Sequence, residues 1–284
     1  MPMSYLIDTY QLSSLLAESP DTLILDCQSA LGDRSQSKAL YDAGHILGAI
    51  HVDSETELSG PIIADKTGRH PLPSQDQWQA TLQRWGVTKD RPIIIYDQNN
   101  SMFAARAWWL LMWAGIKQAK VLDGGLDAWR HSGGAISTEP AAATQTSNLQ
   151  IDVHNSLTIA ADSLLSLSAE QALLDARALP RYQGLVEPLD SKAGHIPGAI
   201  NADFSKNLDS DNRFLPPEQL AQRFQSVADK PVICYCGSGV TACHNILAMT
   251  IAGMKMATLY PGSWSEWIVD DSRPVATAIE GSPL

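Results

Sequence analysis

A chain of 284 residues, 44% hydrophobic and 18% charged, is long enough for two cored domains and is not of disordered composition. Its formal charge of -11 argues against nucleic acid as a partner, because such a partner needs a basic face. The opening MPMSYLIDTYQLSSLLAESP has no signal-peptide pattern, and no apolar run approaches membrane-spanning length, so a cytoplasmic protein with no membrane partner is expected. Four cysteines (Cys27, Cys234, Cys236 and Cys243) fit a reducing compartment better than a disulfide framework.

In chain order, short β-branched runs alternate with helical stretches. Strands are expected at 23–26, 92–96 and 120–122, and helices at 78–85 and 102–114, where apolar residues fall at the spacing of a buried helix. Residues 140–150, PAAATQTSNLQ, are small, polar and aperiodic, and read as a linker. The second half then repeats the first. Leu23-Ile-Leu-Asp-Cys27 answers to Leu173-Leu-Asp-Ala-Arg177, and Ala43-Gly-His45-Ile-Leu-Gly-Ala-Ile50 to Ala193-Gly-His195-Ile-Pro-Gly-Ala-Ile200. Pro92-Ile-Ile-Ile-Tyr-Asp97 answers to Pro231-Val-Ile-Cys-Tyr-Cys236, and Gly124-Gly-Leu-Asp-Ala-Trp129 to Gly262-Ser-Trp-Ser-Glu-Trp267. Four blocks in one order mean a duplicated α/β unit with a mainly parallel sheet, whose ligands gather at the carboxyl ends of the strands.

One of those ends carries the chemistry. An apolar strand runs into Cys236-Gly-Ser-Gly-Val-Thr241, and an apolar stretch at 241–254 is long enough for a helix. This arrangement aims backbone N–H groups at one point beside a helix N-terminus, which favours a thiolate there. A buried, inert cysteine is the commoner fate of the residue type, but it would not require Gly237, Ser238 and Gly239. The loop lacks the arginine that a cysteine phosphatase needs, since Ala242 stands in that place. Cys234 and Cys236 are too close in sequence for zinc-ligand spacing, so no metal is expected. The first half has Asp97 where the second has Cys236, followed by Gln98-Asn99-Asn100; a carboxylate cannot act as a soft nucleophile, so one active site per chain is expected.

The two Gly-His-Ile-x-Gly-Ala blocks, the Cys236 loop and Tyr260-Pro-Gly-Ser-Trp-Ser-Glu-Trp267 resemble the two-domain rhodanese-type sulfurtransferases over nearly the whole chain. The resemblance implies two tandem rhodanese-like domains of α/β class, each a mainly parallel sheet flanked by helices. The boundaries expected are an inactive domain at 1–139, a linker at 140–155 and a catalytic domain at 156–284. It also implies sulfur transfer through a Cys236 persulfide without a cofactor. The acceptor would be cyanide or a thiol, such as thioredoxin or a small thiol. The loop looks like that of members using 3-mercaptopyruvate, whose carboxylate is remote from its sulfur; thiosulfate, a compact dianion, wants cations near the acceptor sulfur. Thiosulfate transfer, a non-catalytic carrier module and a phosphatase-like thiol enzyme are the alternatives.

Residue by residue, the resemblance makes Gly237, Gly239, Val240 and Thr241 binding residues of the loop. Arg181, in the stretch from Asp175 to Tyr182, is the arginine for the donor carboxylate, a bidentate match. The second arginine usual after Glu-Pro is absent, because the chain reads Glu187-Pro188-Leu189-Asp190-Ser191-Lys192, and Lys192 is the candidate substitute. Asp53, His70 and Ser238 align with a proton relay, suited to protonating the pyruvate enolate that sulfur removal leaves. The bland alternative makes His70 a surface-loop residue and Asp53 a turn residue. His45 and His195 recur in both halves and are expected to be structural, and Trp129 and Trp267 to anchor the cores. Arg106 is expected to pair with an acid, Cys234 to be inert within its strand, and Cys243 to be a remote candidate for a redox partner of the loop.

Overall fold

Runs of aliphatic residues become short parallel strands here, and the central ones are buried along their whole length, as expected of parallel sheets flanked by helices. The computed structural model describes residues 4–30, 33–98, 100–142, 145–278 and 283–284. Asn99 of the first loop, and Ala143 and Thr144 of the linker, lie outside the described residues. The chain divides into two units: Met1–Gly60 with Leu72–His154 and Ser210–Phe214, and Pro61–Pro71 with Asn155–Asp209 and Leu215–Leu284. Arg69 and His70 thus belong to the second unit, although the first half of the chain carries them.

In the first unit the strands are β1 (Leu6–Ile7), β2 (Leu23–Asp26), β3 (His45–Ile46), β4 (Ile50–His51), β5 (Ile93–Tyr96), β6 (Ala119–Leu122) and β7 (Ile136–Ser137). The main sheet has the order β1-β6-β5-β2-β4, all parallel, while β3 and β7 form a separate antiparallel pair. The helices are α1 (Thr9–Glu18), α2 (Arg34–Ala43), α3 (Gln75–Arg84), α4 (Met102–Trp113) and α5 (Gly125–His131). Helix α4 is buried along almost its whole length, which is why its sequence is apolar on every side.

The second unit repeats the plan with α6 (Ala161–Leu164), β8 (Ala172–Asp175), α7 (Leu179–Tyr182), β9 (Ile200–Asn201), α8 (Pro217–Arg223), β10 (Val232–Tyr235), α9 (Thr241–Ile251), β11 (Thr258–Leu259) and α10 (Ser263–Trp267). Its sheet has the order β11-β10-β8-β9, again parallel. Helix α9 ends at Ile251, short of the 254 expected. Gly253, at φ +79°, turns the chain left-handed there, and the Met254 amide closes the end on the Met249 carbonyl at 3.0 Å.

Side chains hold the two copies in the same way. Tyr96, beside Asp26 in register, donates its hydroxyl to that carboxylate at 2.5 Å and accepts the Ile46 amide; Tyr235, beside Asp175, accepts the Ile196 amide at 3.1 Å. His45 stacks on Tyr41 and His195 on Tyr182, each with ring centroids 3.7 Å apart and Nδ1 bonded to that tyrosine's carbonyl. These histidines therefore fasten loops, as their recurrence suggested. Trp129 and Trp267 are buried and donate their indole N–H groups to Ala135 and Pro274 carbonyls. Arg106 is buried and donates to the Leu58 carbonyl at 3.3 Å.

Candidate active site

Strand β10 delivers Cys236 to the carboxyl end of the sheet, where the next residues turn into α9. The thiol is buried, and the Gly239 N–H points at its Sγ at 3.1 Å. Gly239 can do so because it sits at φ +84°, a conformation that an L side chain resists by about 1 kcal/mol. Among the described residues this is the one backbone amide bonded to the sulfur, so the amide cradle is narrower than the loop sequence implied. Val240 holds the N-cap position and Thr241 opens α9. The strand end is pinned from below: the Cys236 N–H donates to Ser263 Oγ, while Trp264 and Ser265 amides, at the start of α10, donate to the Cys236 and Gly237 carbonyls.

Charge compensates for what the amides do not supply. A methyl group on Gly237 would come within 3.0 Å of Arg69 Nη2 and within 3.4 and 3.5 Å of Arg181 Nη2 and Nη1. Two guanidinium groups therefore lie over the residue next to the thiol. Burial lowers the pKa of Arg69 below its ordinary value; the Cys236 thiolate pulls it back up, and Arg181 pushes it down again. Arg181 comes from α7 and is fixed by Glu187, with Nε–Oε2 at 3.2 Å and Nη2–Oε1 at 2.7 Å. Its Nη2 also reaches Asp190 at 3.4 Å, and the other oxygen of Asp190 accepts from Arg69 Nη1. Glu187 extends the chain inward to Arg177 at 3.4 Å, which is fully buried against Asp175. Burial pulls the Arg177 pKa down, but the Asp175 charge and hydrogen bonds outweigh it and leave it above its usual value. Three guanidiniums (Arg69, Arg177, Arg181) thus face three carboxylates (Asp175, Glu187, Asp190).

Of the three relay candidates, His70 and Ser238 are brought together, His70 Nδ1 and Ser238 Oγ sharing a 2.7 Å hydrogen bond although 168 residues separate them in the chain. Both are buried, so His70 is no surface-loop histidine. Asp53 lies in the first unit, where Oδ1 accepts the Glu55 and Thr56 amides at 3.0 and 3.2 Å. Lys192 pairs with Asp271, its Nζ on a carboxylate that is itself fully open to water, and Leu189 is half exposed. The second cation beside the loop is Arg69, from a segment whose only sequence signal was its adjacency to His70. Cys234 is sealed within β10, where burial and the neighbouring thiols push its pKa well up. Cys243 donates its thiol to the Gly239 carbonyl at 3.2 Å, so it touches the backbone of the loop.

The equivalent station in the first unit has a different use. Asp97 follows β5 and accepts the Ser101, Phe103 and Ala104 amides at 2.9, 3.0 and 3.2 Å, capping α4 with its carboxylate. Burial nevertheless raises its pKa to about 6 against those hydrogen bonds.

The sequence matches the rhodanese-like domain family twice, over residues 8–132 and 160–270. The chain belongs to the rhodanese family. Similar rhodanese-type proteins include a Pseudomonas aeruginosa "probable 3-mercaptopyruvate sulfurtransferase", 48% identical over 98% of this chain and 99% of that one. A Mycobacterium tuberculosis "putative thiosulfate sulfurtransferase SseB" is 42% identical over 95% of this chain and 96% of its own length. Among solved structures, the Escherichia coli 3-mercaptopyruvate sulfotransferase SseA superposes with a TM-score of 0.78 at 28% identity, covering 93% of this chain and all of that one. The Leishmania major 3-mercaptopyruvate sulfurtransferase gives 0.82 at 28%, covering 94% and 75%. Among the described residues no helix is long and apolar enough to cross a membrane.

Proposed function

We propose that this rhodanese-family chain is a sulfurtransferase that takes sulfur from 3-mercaptopyruvate through a persulfide on Cys236. The observation that carries this reading is the pair of guanidiniums over Gly237, beside a buried thiol on a glycine loop. Since three carboxylates already balance the three arginines of the network, a monoanionic donor leaves one charge to compensate and a dianion two. That balance favours a carboxylate donor. A second reading, thiosulfate transfer, draws on the same two cations near the sulfur and on the name of the mycobacterial relative.

In the first half-reaction the Cys236 thiolate attacks the donor sulfur, forming an S–S bond as the donor C–S bond breaks. The electron pair of that bond leaves on carbon as the enolate of pyruvate, which takes up one proton. Ser238, within the loop, and His70, hydrogen-bonded to it, are the residues we assign to supply it. In the second half-reaction an acceptor thiolate attacks the outer sulfur and the Cys236 thiolate departs. We assign Gly239 to hold the thiolate, Gly237 to let the guanidiniums approach, Val240 and Thr241 to close the loop onto α9, and Arg181 to bind the donor carboxylate. The first unit keeps Asp97 as a cap and is inactive. The acceptor is a thiol, such as thioredoxin or a small thiol, and the setting is the cytoplasm.

Steady-state kcat/KM for both donors, with cyanide as common acceptor, tests the reading. A higher value for 3-mercaptopyruvate supports it, and a higher value for thiosulfate makes the chain a thiosulfate sulfurtransferase.

A further inference from the structure

We infer that Ser265 is a positioning residue that sets the register of His70 against Ser238, so that the pair can deliver a proton. The two members come from segments far apart in the chain, the Cys236 loop and Pro61–Pro71, both in the second unit. Ser265 is bonded to each segment one residue before the member concerned. Its N–H donates to the Gly237 carbonyl at 2.9 Å, and its Oγ accepts the Arg69 N–H at 3.0 Å. The hydroxyl proton goes to the Gly262 carbonyl at 3.3 Å, within its own turn, which leaves the oxygen lone pairs for the incoming segment. A serine that only closed that turn would have no use for an amide 196 residues away. Packing enforces the same register. A methyl group on Gly68 would lie 2.5 Å from the Gly262 carbonyl oxygen and 2.6 Å from Ser265 Oγ, so the segment can approach α10 only because Gly68 has no side chain. The neighbouring Ser263 Oγ accepts the Cys236 N–H, so the start of α10 holds the thiol through one serine and the relay through the other. An amide deprived of its acceptor inside the fold seeks another, and movement of the segment carries His70 with it. The His70–Ser238 bond, at 2.7 Å, does not survive a displacement of about 1 Å.

This inference rests on the donor reading above, because only a donor that leaves an enolate calls on the pair for a proton on carbon. Ser265→Ala removes the oxygen and keeps the backbone bond to Gly237. With 3-mercaptopyruvate as donor and cyanide as acceptor its kcat should fall roughly 10- to 100-fold, and far less with thiosulfate as donor. The same substitution made in a Ser238→Ala protein should cost less than about twofold, since the pair it aligns is already gone. Gly68→Ala, which keeps the hydroxyl and pushes the segment off it, should show the same donor pattern and serves if Ser265→Ala does not fold. Equal losses with the two donors, no loss with either, or a full loss repeated in the Ser238→Ala background overturns the assignment. If the unaltered protein does not turn over mercaptopyruvate, the donor reading fails, and crystal structures of the unaltered protein and of Ser265→Ala decide. A His70 Nδ1–Ser238 Oγ bond broken in the variant then supports the positioning role, and an intact one overturns it.

Discussion

Asp97 and Cys236 stand at matching strand ends, and each turns the amides that follow it to its own purpose. The Asp97 carboxyl has a pKa of about 6 in the fold against an ordinary value of 3.8. Because the folded value is the higher, the native protein keeps a proton that the unfolded chain releases between the two. Its contribution to stability is full below the ordinary value and is lost as the pH rises through about 6, a change of about 3 kcal/mol. Asn cannot titrate, so the stability advantage of the unaltered protein over Asp97→Asn should shrink by about that amount between pH ~4 and pH ~7 in urea unfolding. A constant or growing advantage contradicts this. At Gly237 the prediction is kinetic: an added methyl group meets the far end of the Arg69 side chain at 3.0 Å, where a shift of a few tenths of an ångström makes room, so Gly237→Ala should fold normally. The displaced guanidinium should then cost roughly tenfold or more in kcat/KM, and an unimpaired variant argues against the clamp over the loop. For His70 and Ser238 the donor discriminates. Thiosulfate releases sulfite, which needs no proton on carbon, so Ser238→Ala should lower kcat roughly 100-fold with mercaptopyruvate and far less with thiosulfate. Equal losses with the two donors would mean that the pair only shapes the loop.

The strand–loop–helix element is the same in both units, β5 into α4 and β10 into α9, and differs in the loop alone. Gly239 adopts a left-handed turn that puts its N–H on the sulfur, whereas Ser101, at φ +58°, begins a turn arranged around a carboxylate. Asp97→Cys should consequently gain no persulfide at a rate comparable to Cys236 when both cysteines are followed by mass spectrometry. Comparable loading would show that the loop sequence does not matter. These elements were legible in the sequence because parallel strands and buried helices leave apolar runs of distinct length, and because duplication showed each block twice. The end of α9 was misplaced because hydrophobicity continues past Gly253, and backbone geometry, not apolarity, stops the helix. Arg181, Ser238 and His70 could be named from motif resemblance. Arg69 could not, since its partner Asp190 lies 121 residues away and nothing in the local pattern at 61–71 assigns that segment to the second unit. Lys192 was a reasonable charge to suspect beside Asp190, yet its side chain turns outward to Asp271.

At the scale of the molecule, two copies of one α/β plan have kept their sheets, their Tyr–His stacks and their tryptophan anchors, while only one carries a cysteine at the end of its central strand. Duplication without a second thiol means that loading with donor should saturate at a single sulfur atom per chain. The most direct measurement is mass spectrometry of the protein after incubation with 3-mercaptopyruvate and no acceptor, with the modified peptide then sequenced. The account predicts a gain of one sulfur atom on Cys236, its loss on adding cyanide or a thiol, and no gain in a folded Cys236→Ser variant. Sulfur found on Cys27, Cys234 or Cys243 instead, or sustained turnover by the serine variant, would contradict it.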